Sequence, residues 1–222
     1  RGLSAALRRR GRSDEAKAAA ARVKLLSPAA QSLAEADTLR KEGDTERAEQ
    51  KCQQLIAREP ENIAALRLMA IIADGDERFI VAEGLLRRIL KLAPESVAAM
   101  RDLGSFLGDR SRYPEAIEIL QQAIAIDADD PDIPVILGDM LGIVGRSADA
   151  LVVYEKCLEH APDQPAALNG RGHMLRIAGR RDEALESYRR CVEINPEIGG
   201  GWWHLASLHD YRAADDEVTA MR

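Results

Sequence analysis

Aromatic residues make up only 4% of this 222-residue chain, so a core of any size must be built from Ala, Leu, Ile and Val. An excess of basic residues is missing as well. The formal net charge is −6, which excludes a protein that tracks nucleic-acid backbone, because phosphate binding needs a basic stripe. The one basic cluster, Arg8, Arg9, Arg10 and Arg12 in "RGLSAALRRRGR", reads as a solvated helix face. The longest apolar run, Leu68 to Ala73, is far too short to span a bilayer, so no membrane association is expected. No stretch suits a signal peptide, and the expected location is cytoplasmic. The three cysteines, Cys52, Cys157 and Cys191, have no metal-ligand spacing and cannot all pair. At 46% hydrophobic and 31% charged, the chain is nevertheless of ordinary globular composition.

What is present is a period. Shifted against itself by 34 residues, the chain aligns Ala48, Ala82, Ala116, Ala150 and Ala184 in an unbroken column. Gly104, Gly138 and Gly172 form a second column. Pro60, Pro94, Pro162 and Pro196 form a third, interrupted only by Ala128. Gly43, Gly145 and Gly179 keep the same step, as do Tyr154 and Tyr188.

Each column has a physical role. In "SADALVVYEKCLEHAP", Ala150, Leu151, Tyr154, Cys157 and Leu158 fall at helical spacings on one apolar stripe. Upstream, Ile133, Leu137, Met140, Leu141 and Val144 make another. Gly145 lies between the two stripes, where a helix end favours positive φ. Pro162 ends the second helix, because the residue before a proline avoids helical angles. Every unit therefore reads as a helix, a short turn and an antiparallel helix, with small residues where the two cross. The second unit carries "ADGDERF" with no Gly at its turn, which leaves that geometry open. Pro134 stands where a bulky apolar residue is usual and is tolerated only in the first turn of its helix.

A small residue in each helix, a turn Gly and a terminal Pro every 34 residues resemble the tetratricopeptide repeat. The resemblance implies an all-α fold, a right-handed α-solenoid of antiparallel helix pairs in one continuous domain. Five units are read at 29–62, 63–96, 97–130, 131–164 and 165–198. A partial repeat within residues 1–28 carries Gly11, Ala16 and Pro28, and a partial sixth opens at 199.

Reactive chemistry is not legible. GxxxxGK[ST] is absent, and Gly199–Gly201 read as a flexible joint before the next helix. His204 and His209 are five apart, on different faces of a helix, which does not make a zinc pair. Cys157 and Cys191 occupy equivalent places in adjacent units, about 8–10 Å apart by helix packing, and read as buried thiols. Glu115/Glu118 and Glu183/Glu186 fall on outward faces. No catalytic residue, metal site or cofactor is expected in this segment.

In tetratricopeptide proteins the concave face is lined by fixed places on the first helices, and the resemblance carries these onto Arg67, Ile71, Arg101, Asp102, Ser105, Asp139, Asn169, His173, Arg176, Trp203 and His204. Asn169 and His173, at i and i+4, share a face. This polar mixture suits an extended peptide backbone, so a protein or peptide partner is expected there. One subgroup clamps C-terminal carboxylates with Asn and Lys/Arg in its first two units. Here those places hold Ala34, Asp37, Leu68 and Ile71, and chaperone-tail binding is not expected.

Trp202 takes the place of Leu66, Met100 and Leu168, and Trp203 is rotated about 100° from it, toward the groove mouth. "DDEVTAMR" then breaks register, with a cap expected at Asp215 before a short helix. The run from Asn195 is similar to the junction in bacterial proteins that join tetratricopeptide repeats to a sulfotransferase domain. Trp202, Trp203, Leu205, Ala206, Asp216, Glu217 and Met221 match it. That resemblance implies the N-terminal arm of a sulfotransferase, which positions an acceptor or mediates self-association. A C-terminal domain would then pack on Trp202 and Trp203. A free-standing adaptor that binds a partner protein is the alternative.

If the alanine column marks the helix crossings, Ala116→Leu should cost about 1–3 kcal/mol through overpacking. The midpoint of urea unfolding checks this against a surface Ala→Leu control.

Overall fold

The computed structural model describes residues 27–127, 130–197 and 199–207. Among them are eleven helices and no strand. They fall into two compact units, one ending at Pro94 and the other beginning at Glu95. The first holds α1 (Pro28–Lys41), α2 (Thr45–Arg58), α3 (Ile63–Gly75) and α4 (Phe79–Leu92). The second holds α5 (Val97–Asp109), α6 (Tyr113–Ile126), α7 (Asp132–Ile143), α8 (Ser147–His160), α9 (Pro165–Ile177), α10 (Arg181–Ile194) and α11 (Gly199–Ser207). The expectations for residues 1–26, Ala128, His209 and Asp215–Met221 lie outside the described residues. No described helix is long and apolar enough to cross a membrane.

Local chemistry starts and stops these helices. Ser27, Asn62 and Ser96 accept a hydrogen bond from the backbone N–H three residues on, at 3.0–3.3 Å, which satisfies donors that the first turn leaves open. At α6, α8 and α10 the cap is an arginine that reaches into its own first turn: Arg112 to Glu115, Arg146 to Asp149 and Arg180 to Glu183. These exposed pairs place an acid at the helix N-terminus, and their contribution is small. At the far end, Glu59, Ala93, Ala161 and Asn195 leave helical angles before Pro60, Pro94, Pro162 and Pro196.

The turn between paired helices repeats atom for atom. The N–H of Asp44, Arg78, Arg112, Arg146 and Arg180 donates five residues back, at 2.7–2.9 Å. This closure needs a left-handed residue just before the donor. Gly43, Gly145 and Gly179 supply it with φ of 75–88°. Where glycine is missing, Glu77 takes φ 59° and Ser111 takes φ 58°. The glycine-free turn of the second pair thus has the same geometry as the others, enforced on a side chain that disfavours it.

The alanine column is the crossing: Ala48, Ala82, Ala116, Ala150 and Ala184 are fully buried. Opposite it, a Cβ added at Gly104 or Gly172 would lie 2.6 Å from Leu120 or Tyr188, and one at Gly138 would lie 2.5 Å from Tyr154. In the first unit Ala36, Ala48, Cys52, Leu68, Met69 and Ile72 form one core. In the second, Leu175, Ala184, Tyr188, Val192 and Leu205 form another, with Trp202 packed on it. All three cysteines are free and buried. Cys157 and Cys191 donate to the carbonyls of Pro131 and Pro165.

Two details depart from the expectations, Val144 and the glycine run, while Pro134 lies in the first turn as expected. Val144 is largely exposed, so the buried stripe of α7 stops at Leu141. Pro134 is buried, at the third position of α7, where it forfeits no intrahelical bond. Gly199–Gly201 are no joint, because they form the first turn of α11. The turn is in register with the starts of α3, α5 and α9. Burial of Leu205 and the bond from Trp202 Nε1 to the Pro196 carbonyl offset the helix cost of glycine, about 1 kcal/mol each.

Glu77→Gly should relieve the left-handed strain and raise stability by about 0.5–1 kcal/mol. A rise in melting temperature checks it.

Candidate functional site

The second unit contains a cleft of ≈ 450 Å³ whose lining comes mainly from three helices, α7, α9 and α11. Helix α7 contributes Asp139, Gly142 and Ile143; α9 contributes Asn169, Gly170, His173 and Met174; α11 contributes His204. The period of 34 sets these helices side by side, so residues far apart in the chain share one wall. Tyr154 reaches the cleft from the second layer, on α8.

Tyr154 needs two glycines to do so. Its ring lies where a Cβ at either Gly138 or Gly170 would collide with it. The ring is fully buried, yet its hydroxyl emerges on the other side and donates to Asp139 Oδ1 at 2.5 Å. One repeat later the arrangement changes. Tyr188 again lies against a glycine, Gly172, but the counterpart of Gly170 is His204, and the two rings stack with centroids 5.0 Å apart. His173, the counterpart of Asp139, lies 5.6 Å from His204 by ring centroids. Trp203, two-thirds exposed, meets the His204 ring edge-on at 5.0 Å.

The electrostatics follow from this crowding. Loss of solvation pushes the Asp139 carboxyl pKa up, against the Tyr154 hydrogen bond and the pull of His173. Burial also pushes the Tyr154 hydroxyl up, and the Asp139 charge adds to it. His173 is held below its ordinary value by burial and by Arg176, with Asp139 opposing. His204 is held down by burial, then by His173 and Arg176. Arg176 donates to His173 Nδ1 at 3.3 Å, so the proton of neutral His173 sits on Nε2. Three buried polar atoms at or beside the cleft, Asn169 Oδ1, His204 Nδ1 and the Tyr188 hydroxyl, have no hydrogen-bond partner.

Of the expected groove residues, the fold brings together Asp139, Asn169, His173 and His204, with Arg176 and Trp203 in contact with those histidines. Arg101, Asp102 and Ser105 sit on α5 and do not line the cleft. Arg101 pairs instead with Asp130 at 2.8 Å, both side chains mostly buried. Arg67 and the half-exposed Ile71 belong to α3, in the other unit. From its apolar stripe alone, Tyr154 reads only as core. Gly138 and Gly170, flanking one tyrosine, were the sequence trace of its second role. Among the described residues no group of three or more His, Cys, Asp or Glu side chains could hold a metal ion.

Tetratricopeptide-repeat family models match residues 67–131 and 165–198. The chain carries tetratricopeptide repeats. Solved structures agree on the fold. A crystal structure of MamA superposes with a TM-score of 0.64 at 25% identity, covering 72% of this chain and 93% of that one. Pseudomonas aeruginosa PilF gives a TM-score of 0.72 at 18% identity, covering 80% and 81%. YrrB, described as a tetratricopeptide protein with an unusual peptide-binding site, gives 0.62 at 19% identity, covering 78% and 89%. No curated protein matches. The fold is thus an all-α tetratricopeptide solenoid.

The two histidines bind protons more weakly in the folded chain than in the unfolded one. Their contribution to stability is therefore complete above about 6.5 and is lost as the pH falls through their lower folded values. Asp139, with its pKa raised, acts in the opposite sense in a window that opens near 3.8. The melting temperature should fall between pH 7.5 and 5.5, and His204→Phe should flatten that fall, as thermal melts across the range will show.

Proposed function

We propose that this chain is a non-catalytic scaffold that binds a partner protein through an extended segment laid along the first helices of the second unit. One observation carries the reading. Asn169 Oδ1 and His204 Nδ1 are buried without partners on the wall of an open cleft. A buried acceptor left unmade costs about 1–3 kcal/mol, a cost that a bound backbone N–H would remove. The peptide-binding site named for YrrB, on the same fold, supports the reading. Arg176 and Trp203 extend the surface at the cleft, and Arg101 and Asp102 extend it along α5 of the same unit. The three unpaired, buried thiols suit a reducing compartment such as the cytoplasm.

A narrower reading makes this the repeat arm of a sulfotransferase, positioning its acceptor or mediating self-association. Its support is the likeness of the stretch around Trp202 and Trp203 to the repeat–sulfotransferase junction. The exposed Trp203 ring suits a covering C-terminal domain.

The test is selection of heptapeptides from a random phage-displayed library on the full chain, followed by affinity measurement. Asn169→Ala should weaken selected peptides about 3- to 10-fold, the range of one hydrogen bond, with no loss of melting temperature. Failure to select any peptide, or unchanged affinity in the variant, would sink the reading.

A further inference from the structure

The cleft that would hold the partner's backbone also has a sign. Its lining includes one formal charge, Asp139, beside two imidazoles held neutral by burial. Asp139 accepts the Tyr154 hydroxyl but makes no ion pair with a described residue. Arg176, the cation nearest to hand, is turned to His173 Nδ1. The buried polar atoms left unmet around the cleft are Asn169 Oδ1, His204 Nδ1 and, behind the His204 ring, the Tyr188 hydroxyl. The Tyr154 hydroxyl in the floor is already used. A carboxylate with one oxygen uncommitted and no ion-pair partner, beside two neutral ring faces, calls for a ligand group that is cationic and planar.

We infer that the cleft between α7, α9 and α11 is a pocket for an arginine side chain of the bound segment, with Asp139 as its counter-ion. The inference rests on the scaffold reading above and specifies what that site recognises. A guanidinium brings a permanent positive charge and coplanar N–H donors to the uncommitted Oδ2 of Asp139, and it stacks on flat rings such as those of His173 and His204. Its methylene stem would lie along Ile143, 63% exposed, and Met174. An acidic side chain would instead meet the like charge of Asp139, an arrangement that repels.

The groups that face the pocket are Asp139 from α7, Tyr154 from α8, His173 and Arg176 from α9, Tyr188 from α10 and His204 from α11. Acid opposes the ligand twice. Protonation of either histidine adds positive charge beside the guanidinium, and protonation of Asp139 removes its partner. Binding should weaken as the pH falls below about 6.5.

The heptapeptides selected on the full chain provide the probe. Their consensus should contain arginine at one position. Replacing that arginine by citrulline, which keeps the shape and most donors but not the charge, should weaken binding at least 10-fold at pH 7.5 and by much less at pH 5.5. Asp139→Asn, which keeps an acceptor for Tyr154, should remove the preference for arginine over citrulline. The citrulline exchange needs no protein variant, so it decides the matter even if Asp139→Asn disturbs folding. Peptides that bind in an Asn169-dependent way but show no arginine, or tolerate citrulline or glutamate equally, would overturn the pocket and leave the scaffold standing. If no peptide is selected, both fall.

Discussion

Everything in this molecule depends on how closely the two helices of a pair can approach. Five alanines with no exposed surface mark where the second helices press on the first, and glycines on the first helices take in Leu120, Tyr154 and Tyr188. Interiors are close-packed, so a methyl group more at such a crossing has nowhere to go. The tolerance shows elsewhere: the turns accept Glu77 and Ser111 in a left-handed conformation that glycine holds in the other three pairs. Backbone strain at a turn costs one local term, whereas a wider crossing would shift whole helices.

The same crossing creates the site. Gly138 permits Tyr154 to lie flat against α7, and Gly170 on the neighbouring first helix lets the ring continue until its hydroxyl meets Asp139. A residue that looks like core filling from its own helix is, from the other side, part of a floor. One period on, His204 in place of Gly170 closes that passage and stacks on Tyr188. The cleft therefore sits where the repeat is least regular. Asp139 and His173 occupy one column, Gly170 and His204 another, and the differences between them supply the charge and the unmet hydrogen bonds.

The helices, their pairing, the turn and the capping proline were legible in the sequence because each follows from local chemistry or a 34-residue recurrence. Asn169 and His173 could be set on one face by their spacing alone. The register of α11 was legible too, through Trp202 and Leu205, but its glycine run was not, since glycine disfavours helices and only the packing of Leu205 and Trp202 reverses that. The place of Arg101 in the repeat points it to the groove. Its engagement with Asp130, 29 residues on, is a pairing that periodicity does not encode.

By itself, then, the sequence determined which residues lie on first helices and which on second, because helical spacing and turn chemistry act over a few residues. Tertiary structure decided which of the first-helix residues meet. Asp139, Asn169, His173 and His204 converge because three helices stack side by side, and Tyr154 joins them because two small residues leave its ring a way through. Those distances are set by side-chain volume at the crossings, a property of pairs of residues that no single position carries.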